Sequence, residues 1–163
     1  MEEVKMLLAP SMMHRLLVAS LLVLLRENVS SDRGSVLPSP IDVTVSRSPL
    51  KVRQPDVMVV LYKEGGYQNA QQLQAAPHGD VVPDLVVEVL SPSETRSAVD
   101  AKIEDYRQVG VRELWLVSPE AETVEVLKLS SEGAERVGLY GRGDVVRSDL
   151  LPELHVDTNR LFA

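Results

Sequence analysis

No cysteine occurs in the sequence, which excludes disulfide frameworks, thiolate metal sites and cysteine nucleophiles. Histidine is nearly as scarce, with three scattered residues, so a histidine-rich metal centre is not expected. Aromatics make up 4% of the chain, and the core must therefore be built from Leu, Val, Ile and Ala. Long apolar runs are missing too: LLVASLLVLL, at 16–25, is bounded by Arg15 and Arg26 and is half the length of about twenty residues that a membrane span needs. It lacks the small-residue cleavage site of a secretory leader. These absences predict a soluble, cytoplasmic protein with no membrane partner.

Positive charge is in deficit, with a formal net charge of −7, but the deficit is uneven. Residues 1–63 hold eight Lys or Arg against six Asp or Glu, whereas the rest holds nine against eighteen. A polyanion is expected to meet the first part, where RSPLKVR at 47–53 is the densest basic stretch, and tight nonspecific DNA binding is disfavoured. The same stretch also reads as a solvated loop.

What is present is a chain of 163 residues, 44% hydrophobic, enough for one domain over 1–163 with its own core. Ser11 caps a predicted, largely buried helix over 12–29. IDVTVS at 41–46 and PDVMVVLY at 55–62 read as strands, and the Gly- and Gln-rich residues 63–82 as a long loop. A strand at 84–90 runs into SPSETRSAVDAKIEDYRQVG, where Ser91, Pro92 and Glu94 fit a capping box with proline at the first helical position, and Gly110 fits the helix end. Strands at 113–117, 123–129, 136–140 and 144–147 make the remainder β-rich. This order predicts an α/β (α+β) fold, a curved mixed sheet flanked by helices.

The chemistry is concentrated in PDLVVEVLSPS, at 83–93. Alternation puts Asp84, Val86 and Glu88 on one strand face, yet Asp84 and Glu88 stand roughly 13 Å apart along the strand and can hardly share an ion. Asp56, opening the preceding strand, is the better partner. If the two strands pair, their backbones lie about 4.8 Å apart, near enough for two carboxylates to share Mg²⁺ or Mn²⁺ rather than zinc. On the following helix Val99, Lys102, Ile103, Tyr106 and Val109 form one stripe. A Lys therefore occupies a core position, where it requires an acidic partner, and Tyr106 one turn on is placed to fix it. Two acids and a Lys around a cation are the parts that phosphodiester hydrolysis uses.

At these residues the run QPDVMVV … VPDLVVEVLSPS … DAKIEDYRQVGVRELWLVSPEAETVEVLKL resembles the Uma-two family, grouped with restriction endonucleases in the PD-(D/E)XK nuclease superfamily. The likeness covers roughly residues 5–163 and is most specific at 83–118. It implies a restriction-endonuclease-like core and a Mg²⁺-dependent endodeoxyribonuclease in which Asp56 and Glu88 bind metal and Lys102 is the catalytic cation. The superfamily usually carries Glu-x-Lys on the strand. Here Val89 and Leu90 follow Glu88, and Lys102 on the helix matches the family's alternative. His14, in APSMMHRLL, matches a recurrent histidine at the start of the family's first long helix. Members usually begin with a further helix and a YELIDG-like segment whose Glu approaches the site; this chain starts at MEEVKMLLAPS, so either that segment is missing or Glu2 or Glu3 stands in.

Each residue also has a plainer reading. Asp84 also reads as the cap or ion-pair partner of a strand start, His14 as a surface or capping histidine, Tyr106 as a core aromatic, and Asp56, Glu88 and Lys102 as a structural ion-pair network. Two further functions stay open: a catalytically inactive nuclease-fold protein acting as an interaction or assembly module, and a hydrolase of a small phosphorylated metabolite. The apolar first helix and the β-rich second half point to a homodimer.

Overall fold

The computed structural model describes residues 11–163. Helix α1 (Met12–Asn28) starts at Ser11, whose hydroxyl accepts the His14 amide. It leads into β1 (Gly34–Pro38), β2 (Val43–Arg47), β3 (Leu50–Arg53) and β4 (Val57–Leu61). A five-residue helix α2 (Ala70–Gln74) precedes β5 (Leu85–Val89), α3 (Arg96–Val109) and β6 (Glu113–Ser118). The long strands β7 (Thr123–Ser130) and β8 (Gly133–Tyr140), short β9 (Val145–Arg147) and β10 (His155–Asp157), and α4 (Thr158–Leu161) follow.

Six strands form one sheet in the order β1-β4-β5-β6-β7-β8, while β2/β3 and β9/β10 form two-stranded sheets of their own. Within the large sheet β5 and β6 run parallel and the other neighbours antiparallel. A parallel pair requires a crossover, and α3 supplies it. Alternation then divides the sheet into two buried faces. Val57, Val59, Leu85, Val87 and Trp115 pack against Leu17, Leu21, Leu24 and Leu25 of α1 and against the apolar residues between Val146 and Phe162. Met58, Val60, Val86, Leu114 and Leu116 pack against Val99 and Tyr106 of α3. A strand sandwiched this way reads as a continuous apolar run, and β5 is buried at all five positions.

The mixed α/β architecture agrees with the expected one, and several elements differ in detail. Residues 34–38 form an edge strand because β4 offers them a partner, with Gly34 opposite Leu61 and Pro38 opposite Val57. Proline is tolerated at the end of such an edge strand. The basic stretch 47–53 is no simple loop: it makes the turn and second strand of the β2/β3 hairpin, pinned to α3 by Asp105, which accepts from Lys51 at 3.0 Å and Arg53 at 2.8 Å. Residues 63–82 include α2. Helix α1 is less buried than expected. It covers one side of the sheet, which leaves Met12, Met13, Leu16 and Val23 exposed.

Helix α3 starts later than the capping box predicts. Thr95 is its N-cap, accepting the Ala98 amide at 3.1 Å, and Gly110 ends it with a positive φ. The Glu94 carboxylate does accept the Ser91 amide, at 2.9 Å, but that bond closes a turn ahead of the helix. Thr95→Ala is therefore expected to cost about 1 kcal/mol in urea unfolding, and Ser91→Ala less than half of that.

Candidate active site

Strands β4 and β5 pair antiparallel, with Val57 opposite Val87, Met58 opposite Val86 and Val59 opposite Leu85. Carried one step further, this register sets Asp56 across from Glu88. Asp56 Oδ2 accepts the Val89 amide at 2.7 Å, which ties the residue before β4 to the end of β5. Its Oδ1 lies 3.2 Å from His14 Nε2, brought in from the first turn of α1.

Glu88 points to the α3 side of the sheet and is only 5% exposed. Tyr106, fully buried on α3, donates its hydroxyl to Glu88 Oε2 at 2.5 Å. Lys102, one turn earlier, places Nζ 3.3 Å from Glu88 Oε1 and 2.9 Å from Glu94 Oε2. Asp56, His14, Glu88, Glu94 and Lys102 line a cleft of about 520 Å³ that also includes Ser11, Ser91, Ser93 and Glu120, while Tyr106 lies buried behind Glu88.

Burial pushes the Glu88 carboxyl up to about 7. The Lys102 charge opposes that rise, the nearby Asp56 carboxylate adds to it, and the hydrogen bonds from Tyr106 and Lys102 oppose it. Lys102 is held above the ordinary lysine range, because the pull of Glu88 and Glu94 outweighs the burial that disfavours its charge. The same balance lowers Glu94, where the Ser91 amide and Lys102 outweigh burial. The Tyr106 phenol is pushed far above its ordinary value by burial and by Glu88, so it stays a donor.

Asp56, Glu88, Lys102 and His14 thus line one cleft, with Tyr106 buried behind Glu88; strand pairing and the helix stripe lead to all of these but His14, which the family resemblance alone suggests. Asp84 does not join them. It sits at the opposite end of β5, accepting the Leu61 amide at 2.7 Å and the Lys63 ammonium, and lines a separate hollow with Gly66, Tyr67 and Arg112. Asp84→Asn is expected to lower stability by about 1–3 kcal/mol in urea unfolding and to leave any activity of the Glu88 cleft within about threefold once folded, since side chains acting through no shared partner are independent. Glu2 and Glu3 lie outside the described residues. Glu94 was missed as a site residue because its spacing from Ser91 already accounts for it as a cap. The available signal was its place in the loop leaving β5, just beyond Glu88.

Among the described residues no three His, Asp or Glu side chains are gathered closely enough to hold a metal ion. Asp56 and Glu88 nonetheless offer two hard oxygen donors to one cleft, and Mg²⁺ is commonly held by one or two carboxylates with water completing its shell. The donor set therefore fits such an ion. No helix among the described residues is long and apolar enough to cross a membrane.

Comparison with known proteins gives three findings. The model of the family Uma2, described as "Putative restriction endonuclease", matches residues 5–159. No curated protein matches. A crystal structure described as a "putative nuclease belonging to DUF820", from Anabaena variabilis, superposes with a TM-score of 0.68 at 19% identity, covering 94% of this chain and 82% of that chain. At that identity the likeness speaks for the fold.

Proposed function

Because the chain belongs to the Uma2 family, whose description is "Putative restriction endonuclease", we propose that it is a metal-dependent endonuclease hydrolysing DNA phosphodiester bonds at the Asp56–Glu88–Lys102 cleft. The observation that carries this reading is the half-buried Lys102 ammonium 3.3 Å from the buried Glu88, in the cleft that Asp56 enters from the neighbouring strand. A buried carboxylate with a half-buried lysine beside a second acid is an expensive arrangement for stability alone.

Asp56 and Glu88 would hold Mg²⁺ or Mn²⁺. Such an ion, when bound, lowers the pKa of a water molecule and offsets phosphate charge. Lys102 contributes fixed positive charge where negative charge builds on the phosphate oxygens, already desolvated and so costing no reorganisation during reaction. Tyr106 holds Glu88 in its rotamer by donating to Oε2, and the Val89 amide does the same for Asp56. His14 closes the cleft from α1 and faces the remaining Asp56 oxygen.

The test is nicking of supercoiled plasmid at low salt. Relaxed circles are expected with Mg²⁺ or Mn²⁺ and none with a chelator; intact plasmid under every divalent ion would sink the reading. The exposed apolar residues of α1 support a second copy of the chain as partner. A monomer in sedimentation equilibrium at micromolar concentration would remove it.

A further inference from the structure

The nuclease reading makes Glu88 serve two positive charges. One of its oxygens already takes the Tyr106 hydroxyl and the other the Lys102 ammonium. A divalent ion drawn to Glu88 repels the ammonium beside it, and Lys102 sits on a flexible four-carbon stem. With Glu88 as its sole anchor, Lys102 would swing toward solvent when the ion arrived.

Lys102 has a second anchor. Glu94 Oε2 lies 2.9 Å from Nζ, closer than Glu88 Oε1 at 3.3 Å. Its other oxygen accepts the Ser91 amide at 2.9 Å, so the carboxylate is aimed rather than free to turn. The turn beneath it is braced by the Ser91–Ser93 hydroxyl pair at 2.9 Å. Glu94 is not needed to cap α3, since Thr95 does that. With its side chain 22% exposed, against 7% for Glu88, it is less desolvated than Glu88.

Resting on that nuclease reading, we propose that Glu94 is a positioning residue: it keeps Lys102 in the cleft when Glu88 is engaged by the divalent ion. The pair of carboxylates works as a relay for one ammonium. Glu88 and Glu94 share Lys102 in the metal-free protein, and Glu94 retains it alone afterwards. Glu94 itself contacts neither the ion nor the phosphate.

The experiment compares wild type with Glu94→Gln, which keeps an oxygen for the Ser91 amide and removes the charge. Reductive methylation of Lys102, followed by peptide mass spectrometry, is run without divalent ion and with saturating Mg²⁺. Wild type is expected to be protected in both states, and Glu94→Gln only without Mg²⁺, reacting about fivefold or more faster once the ion is added. In plasmid nicking Glu94→Gln is expected to lose about tenfold in single-turnover rate with an unchanged Mg²⁺ half-saturation, and Glu94→Asp to recover part of it. Equal protection of Lys102 in Glu94→Gln with Mg²⁺ would overturn the proposal, as would a large rise in Mg²⁺ half-saturation, which would make Glu94 a ligand. Wild type that nicks plasmid and binds Mn²⁺ by electron paramagnetic resonance, with Glu94→Gln unaltered, defeats this proposal alone. Wild type that binds no Mn²⁺ defeats the nuclease reading and this inference with it.

Discussion

Glu88→Gln is expected to abolish plasmid nicking, by about a hundredfold or more, while raising the melting temperature of the metal-free protein at pH 8. The two effects share one cause. Glu88 is buried under α3, and its carboxyl is pushed up from 4.5 to about 7. The native state therefore holds this proton more tightly than the unfolded chain. Between roughly pH 4.5 and 7 stability falls as pH rises, and above 7 the full penalty of a buried carboxylate is present. Glutamine carries no charge at any pH and still accepts from Tyr106, so the penalty disappears. At about 1.4 kcal/mol per unit, less what Lys102 loses, the gain is on the order of 2 kcal/mol at pH 8 and fades below pH 4.5. A merely structural ion pair predicts the opposite sign. Thermal melts of both proteins across pH 4 to 8, in the presence of chelator, decide between them: a destabilised Glu88→Gln at pH 8 would reassign Glu88 to architecture.

Lys102→Ala is expected to be equally inactive, by about 10²–10³ in rate, but to shift stability the other way. Removing the ammonium leaves Glu88 and Glu94, both within 3.3 Å of it, with no counter-charge between them. Breaking a buried pair from one side costs about 3–5 kcal/mol. Because Glu88 can escape by taking a proton, the loss should sit near the lower end of that range at pH 8 and shrink at pH 6. Glu88→Gln placed on top of Lys102→Ala should restore part of the stability, giving a coupling of about 1–2 kcal/mol in a double-mutant cycle. Additive urea-unfolding energies would mean that the two side chains do not interact in solution, and would separate Lys102 from the cleft.

The centre of this cleft was readable from sequence because its geometry follows from two periodicities. A period of two puts Glu88 on one face of a strand, pairing with the preceding strand brings Asp56 across from it, and a period near 3.6 puts Lys102 and Tyr106 on the helix face packed above. Each of these depends on a residue and its near neighbours. What escaped depends on distant partners. Residues 34–38 become a strand only because β4 lies alongside, and Leu50–Arg53 because β2 and the Asp105 carboxylate hold them. Glu94 escaped for another reason: the two oxygens of one carboxylate satisfy both a turn and a lysine 2.9 Å away, and spacing reveals only the turn. Asp84 shares a strand face with Glu88 but sits four residues along it, bound to Lys63.

The two buried faces of the sheet are also completed at different points along the chain. The cluster beneath α3 draws on residues from Val43 to Leu129, whereas the cluster beneath α1 runs from Leu17 to Phe162 and draws six residues from beyond position 145. On the ribosome, at about 5–20 residues per second, the first face has all its parts a few seconds before the second. Every side chain of the cleft from His14 to Tyr106 is already synthesised by then. The nascent chain therefore passes through a stage in which the chemical groups are all made while the back of the sheet, including fully buried Trp115, still awaits its last cover.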